Sequence, residues 1–127
     1  MEFAVPLNKK QPEPALTPVS VDTERTIRYI DSEEDRNNVI RDNKIVVIKY
    51  SAHWCKPCKR IAPAYLEMCQ TDPDVVYCEE DIDEEFEGYH EKILSIPTFH
   101  VFANGQFVGS SKGTSLDELK KIINTQK

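Results

Sequence analysis

No apolar run in this sequence approaches the roughly 20 residues that a membrane-spanning helix requires, and the opening MEFAVPLNKK shows no basic stretch leading into an apolar one, as a secretory signal would. Positive charge is not in excess either: 16 Lys and Arg against 22 Asp and Glu give a formal charge of -6. That balance disfavours phosphate backbones and favours solubility and pairing with basic patches. Neither nucleic acid nor a membrane is therefore expected as a partner, and a cytoplasmic protein is the plain expectation. A second close pair of metal ligands is missing too. Four cysteines stand at 55, 58, 69 and 78, and a structural zinc site usually needs two close pairs of Cys or His, so no metal is expected. The same four do not make the disulfide framework of a small secreted domain. A purely structural crosslink between Cys55 and Cys58 would close so short a loop that it gains little. What remains for this CxxC is redox chemistry.

The chain holds 127 residues, 39% of them hydrophobic and 30% charged, which suits one soluble globular domain with one core. Residues 1–25 carry four of the eight prolines (Pro6, Pro12, Pro14 and Pro18) and few large apolar groups, so they are expected to form a flexible tail ahead of a domain at 26–127. From Thr26 the pattern changes. TIRYI alternates like a short strand, SEEDRNNVIRDN is a weakly amphipathic helix with Ser32 as its N-cap, and KIVVIKY is a β-branched run typical of a central strand covered on both faces. After the CxxC, apolar positions from Ile61 to Cys69 recur at helical spacing, with Pro63 predicting a kink. VVYC reads as a second buried strand and DEEFEGYHEKIL as a helix with acids at its start. TFHVFANGQFVGS reads as two strands joined by Asn104-Gly105. Ser115 and Glu118 predict a capping box for a last helix with Leu119, Ile122 and Ile123 on one face. The order βαβαβαββα implies an α/β fold, a central mixed sheet with helices on both faces.

Within that order the CxxC falls where a central strand ends and a helix begins. Unpaired backbone N–H groups at a helix start favour a thiolate, so Cys55 is expected to attack, and Cys58, on the first turn and set deeper, to resolve the mixed disulfide. Pro57 stiffens the turn, Trp54 offers an aromatic wall and Lys56 adds positive charge beside the attacking thiol.

From about residue 26 to its end the chain resembles the thioredoxin family. WCKPC stands where that family usually has WCGPC, KRIAP places the family's kink proline at Pro63, and IPT at 96–98 matches a loop whose proline is cis. The Asn104-Gly105 turn and Gly113 also fall where family members have them. The resemblance implies reduction of protein disulfides by a monomer that needs no cofactor beyond the Cys55–Cys58 dithiol, with the oxidised form re-reduced by a thioredoxin reductase. It also implies that Trp54, Ile96, Pro97 and Gly113 form a rim gripping an extended substrate strand. An interaction module on the same fold, or a specialised redox protein with little general reductase activity, is the alternative.

The sequence departs from the family pattern at Lys49, where thioredoxins usually carry a buried acid six positions before the nucleophile. A lysine buried alone on a central strand costs several kcal/mol or loses its proton, so a carboxylate partner is expected on the neighbouring strand. Glu79 is the expected partner, with Glu80 the substitute if the pleat points the other way. Lys49 and Glu79 thereby join Cys55 and Cys58 as candidate catalytic groups. His53 reads as a polar rim residue able to shuttle protons, His90 and His100 as surface or strand residues, and Cys69 and Cys78 as packed thiols. Glu79 to Glu91 holds eight acidic residues and no Lys or Arg, a solvated face by default.

Overall fold

The computed structural model describes residues 21–83 and 93–127. Its elements run β1 (Arg28–Tyr29), α1 (Glu33–Asp42), β2 (Ile45–Ser51), α2 (Lys56–Thr71), β3 (Val76–Asp81), β4 (Thr98–Ala103), β5 (Gln106–Lys112) and α3 (Asp117–Thr125). The helix expected over DEEFEGYHEKIL lies almost wholly outside the described residues, as does His90. Five strands form one sheet in the order β1-β3-β2-β4-β5. β3 runs parallel to β1 and β2, whereas β4 is antiparallel to β2 and β5 to β4.

The pleat of β2 explains the two layers. All seven of its residues are buried, and successive side chains point to opposite faces. Ile45 and Val47 join Ile61, Tyr65 and Met68 of α2 and Leu119 and Ile123 of α3 in one core. Val46, Ile48 and Tyr50 join Val39 and Ile40 of α1 and Cys78 of β3 in the other. By the same alternation Lys49 points to the α2 face.

Local signals account for most boundaries. Ser32 caps α1 by accepting the Asp35 N–H at 2.9 Å. Asn104 and Gly105 turn the last hairpin at φ 53° and 81°, the paired positive values that the Asn-Gly dipeptide tolerates. Pro57 sits in the first turn of α2, where a missing N–H costs nothing, and the helix continues past Pro63 to Thr71.

The expected capping box at Ser115 and Glu118 does not form. Leu116 is the N-cap of α3, with no side-chain cap hydrogen bond. Leu116 is drawn into the α2–α3 core at 9% exposure, so the helix starts two residues after the polar signal. At the opposite end of the sheet from the CxxC, residues that the sequence assigns to the tail reach α2. Asp22 N donates to Gln70 O at 2.8 Å, and the Arg25 guanidinium donates to the carbonyls of Cys69, Asp72 and Val75 at 2.5 to 2.8 Å. Those carbonyls lie around the C-terminal end of α2, where a cation is favourable.

Candidate active site

β2 ends at Ser51 and the chain turns at once into α2, with Cys55 N donating to Ala52 O at 3.0 Å. Cys55 is the N-cap of α2, in an extended conformation, and its Sγ accepts the Cys58 N–H at 3.2 Å. A backbone donor aimed at this sulfur favours negative charge on it when the bond to Cys58 is open. Cys55 and Cys58 are joined as a disulfide, their Cα atoms 5.3 Å apart. The expected difference in depth between them is absent: Cys55 is 3% exposed and Cys58 2%. Ala52, with Ile82 and Ile96 packed against it, covers both sulfurs together.

The rim residues converge on this pair. Trp54 is 58% exposed, and its indole N–H donates to Asp83 Oδ2 at 3.0 Å. His53 Nδ1 lies 3.7 Å from the same oxygen. The Ile96–Pro97 peptide is cis, and Ile96 packs against Cys55 and Cys58. Gly113 N donates to Pro97 O at 2.9 Å. Gly113 has φ +91°, and a Cβ there would meet nothing within 4 Å, so glycine is required for its backbone conformation rather than for space. Lys56 is exposed and Pro57 half-buried.

Below the helix start lies the charge pair. The register of β2 against β3 sets Lys49 directly opposite Glu79. Lys49 is 2% exposed, and its ammonium lies 3.7 Å from Glu79 Oε1, donates to Cys58 O at 3.2 Å and stands 5.6 Å from the Tyr65 ring centroid. Burial pulls the Lys49 pKa below its ordinary value, and the Glu79 charge and hydrogen bond oppose that pull. Ser51 Oγ donates to Glu79 Oε2 at 2.6 Å. Lys49, Glu79, Ser51 and Cys58 line a groove of about 770 Å³ that reaches the surface between Tyr29 and Lys59. The Glu79 carboxylate acts across it, since its charge is the main reason that the Tyr29 phenol is raised above its usual value.

A second ion pair escaped the sequence reading. Arg36 and Glu80 are 1% and 0% exposed, with Nη1 and Oε2 2.8 Å apart under α1. The signal was present: Arg36 stands three and four residues before Val39 and Ile40, on the face that those residues bury. Cys69 and Cys78 are buried free thiols, and burial raises both pKa values, that of Cys78 to about 12. His100, read as a surface or strand residue, sits on β4 at 7% exposure. It packs edge-on to Tyr50 and Phe107. Beside the rim, ligand atoms of His53, Asp81 and Asp83 lie within 4.8 Å of one another on the surface.

A family model described as Thioredoxin matches residues 27–125. The chain belongs to the thioredoxin family. It is 37% identical over 98 residues to "Thioredoxin 1" of Plasmodium falciparum, covering 76% of this chain and 94% of that protein. A thioredoxin of Callithrix jacchus is 33% identical over 101 residues, 77% of this chain and 96% of its own. Among solved structures, Fasciola hepatica thioredoxin superimposes with a TM-score of 0.73 at 28% identity, over 80% of this chain and all of that one. With the Cys55–Cys58 pair at the head of α2, this thioredoxin-family protein is a protein thiol–disulfide oxidoreductase.

Proposed function

We propose that this protein reduces protein disulfides, with Cys55 as the attacking thiolate and Cys58 as the resolving thiol. The observation that carries the assignment is the Cys58 N–H aimed at Cys55 Sγ, which stabilises charge on that sulfur rather than on its partner. The Cys55 thiolate attacks one substrate sulfur and expels the other as a thiolate, which takes a proton from water. Cys58 then loses its proton, attacks Cys55 Sγ and releases the second substrate thiol. Two electrons pass to the substrate, and the protein is left as the Cys55–Cys58 disulfide.

In this scheme Glu79 receives the Cys58 proton and passes it to solvent through the groove, while the Lys49 charge favours the Cys58 thiolate. The pair reverses the charge order expected of the family's central strand. Trp54, Lys56, Pro57, Ile96, Pro97 and Gly113 form the surface on which a substrate strand lies. The dithiol is its own redox group, so no further cofactor or metal enters the cycle. A thioredoxin reductase is the electron donor that the family implies, and protein disulfides are the acceptors. We place the protein in the cytoplasm as a monomer. Its two buried free thiols suit a reducing compartment, and among the described residues no helix is long and apolar enough to cross a membrane.

Reduction of insulin by dithiothreitol tests the proposal. The protein at micromolar concentration is expected to shorten the lag before the freed insulin chain precipitates. A lag equal to that of dithiothreitol alone would contradict the reductase reading.

A further inference from the structure

The first turn of α2 carries charge that the exchange chemistry does not use. Helix starts favour acids, and α1 and α3 have them in Glu33, Glu34, Asp35, Asp117 and Glu118. The first turn of α2 has none. It has Lys56, Lys59 and Arg60 instead, spaced i, i+3 and i+4 so that they share one face, and all three are exposed. Ala62, Pro63 and Ala64 occupy the next positions along that face, so no carboxylate of α2 answers them. None of the three belongs to an ion pair among the described residues. On the other flank of the sulfurs stand Asp81 and Asp83. In a chain of net charge -6, the cations beside the nucleophile are a local exception that repels the helix dipole and is offset by no partner within the protein.

We propose that this cationic shelf selects disulfides flanked by acidic groups, with Lys59 and Arg60 as specificity-determining residues beside Cys55. The proposal rests on the reductase reading and adds a substrate class to it. An acidic side chain next to the substrate disulfide lies against the shelf as Cys55 attacks, and the attraction raises the encounter rate without altering the sulfur chemistry.

Single-turnover oxidation of the pre-reduced protein tests it, because the protein's own dithiol then supplies both electrons. Three small disulfides serve as probes: oxidised glutathione, which is anionic, cystamine, which is cationic, and the neutral bis(2-hydroxyethyl) disulfide. Wild type is compared with Lys59→Glu/Arg60→Glu and with the milder Lys59→Gln/Arg60→Gln. Lys56 is kept, since its charge also acts on the attacking sulfur. The ratio of the glutathione to the cystamine rate constant is expected to fall about tenfold in the Glu variant and less in the Gln variant. The neutral disulfide reacts at the wild-type rate in both, and the contrast shrinks in high salt. An unchanged ratio, or an equal loss on all three disulfides, overturns the proposal. Failure of the wild type to react even with the neutral disulfide overturns the reductase reading, and this inference with it.

Discussion

Glu79 and Glu80 are neighbours on β3 and meet opposite fates. The pleat sends Glu80 under α1, where it is fully buried and 2.8 Å from the Arg36 guanidinium. Glu79 turns to the α2 face, keeps 21% of its side chain exposed and holds Lys49 at 3.7 Å, beside a groove shared with Cys58. A sealed pair must stay charged on both sides, because a lone buried ion costs several kcal/mol. The looser pair touches solvent, so its carboxylate can exchange a proton. One strand thus supplies a structural charge to one face of the sheet and a working charge to the other.

Breaking the sealed pair has the largest expected effect. Glu80→Ala strands Arg36 and lowers unfolding free energy by about 3 kcal/mol, read from urea melts, while the Cys55 alkylation rate keeps its pH profile. Glu79→Gln sharpens the contrast from the other side. Its melting curve stays close to wild type, and closure of the mixed disulfide by Cys58 slows about tenfold at pH 7, the effect of one pKa unit on a thiol. Stopped-flow measurement of Trp54 fluorescence follows that step.

Lys49→Met is the smallest change. It removes a buried ammonium and raises stability by about 1 kcal/mol at pH 7. Because folding lowers the Lys49 pKa, the unfolded chain binds more protons at this site between the folded value and 10.5. Wild-type stability therefore gains on the Met variant as pH rises through that window, and the gap between the two narrows. Urea melts of both proteins from pH 7 to pH 10 check the sign.

Much of this was legible in local sequence. WCKPC, the Ile96-Pro97 step and Asn104-Gly105 are short-range signals whose physics lies within a few residues, and each stands where expected. The Lys49–Glu79 pairing was also accessible, since an ammonium on a buried strand demands a carboxylate and strand order narrows the choice. Arg36 was harder to read. In EEDRNN it resembles one more solvated charge, and only a strand 44 residues away turns it into a core residue. Ser115 failed for a similar reason: the burial of Leu116 decides where α3 begins, and a capping motif cannot register that. Arg25 hydrogen-bonds to the end of α2 across 44 to 50 residues of sequence, beyond the reach of any reading of a proline-rich segment.

The division of labour between the two sulfurs is the central claim, and trapping with a substrate disulfide tests it most directly. Reduced Cys58→Ser and Cys55→Ser proteins are mixed with a peptide disulfide and analysed by intact mass spectrometry under acid quench. Cys58→Ser is expected to accumulate one covalent peptide adduct on Cys55, because attack proceeds and resolution does not. Cys55→Ser is expected to stay unmodified on the same timescale. An adduct on Cys58 in the Cys55→Ser protein, formed as fast as the first, would contradict the assignment.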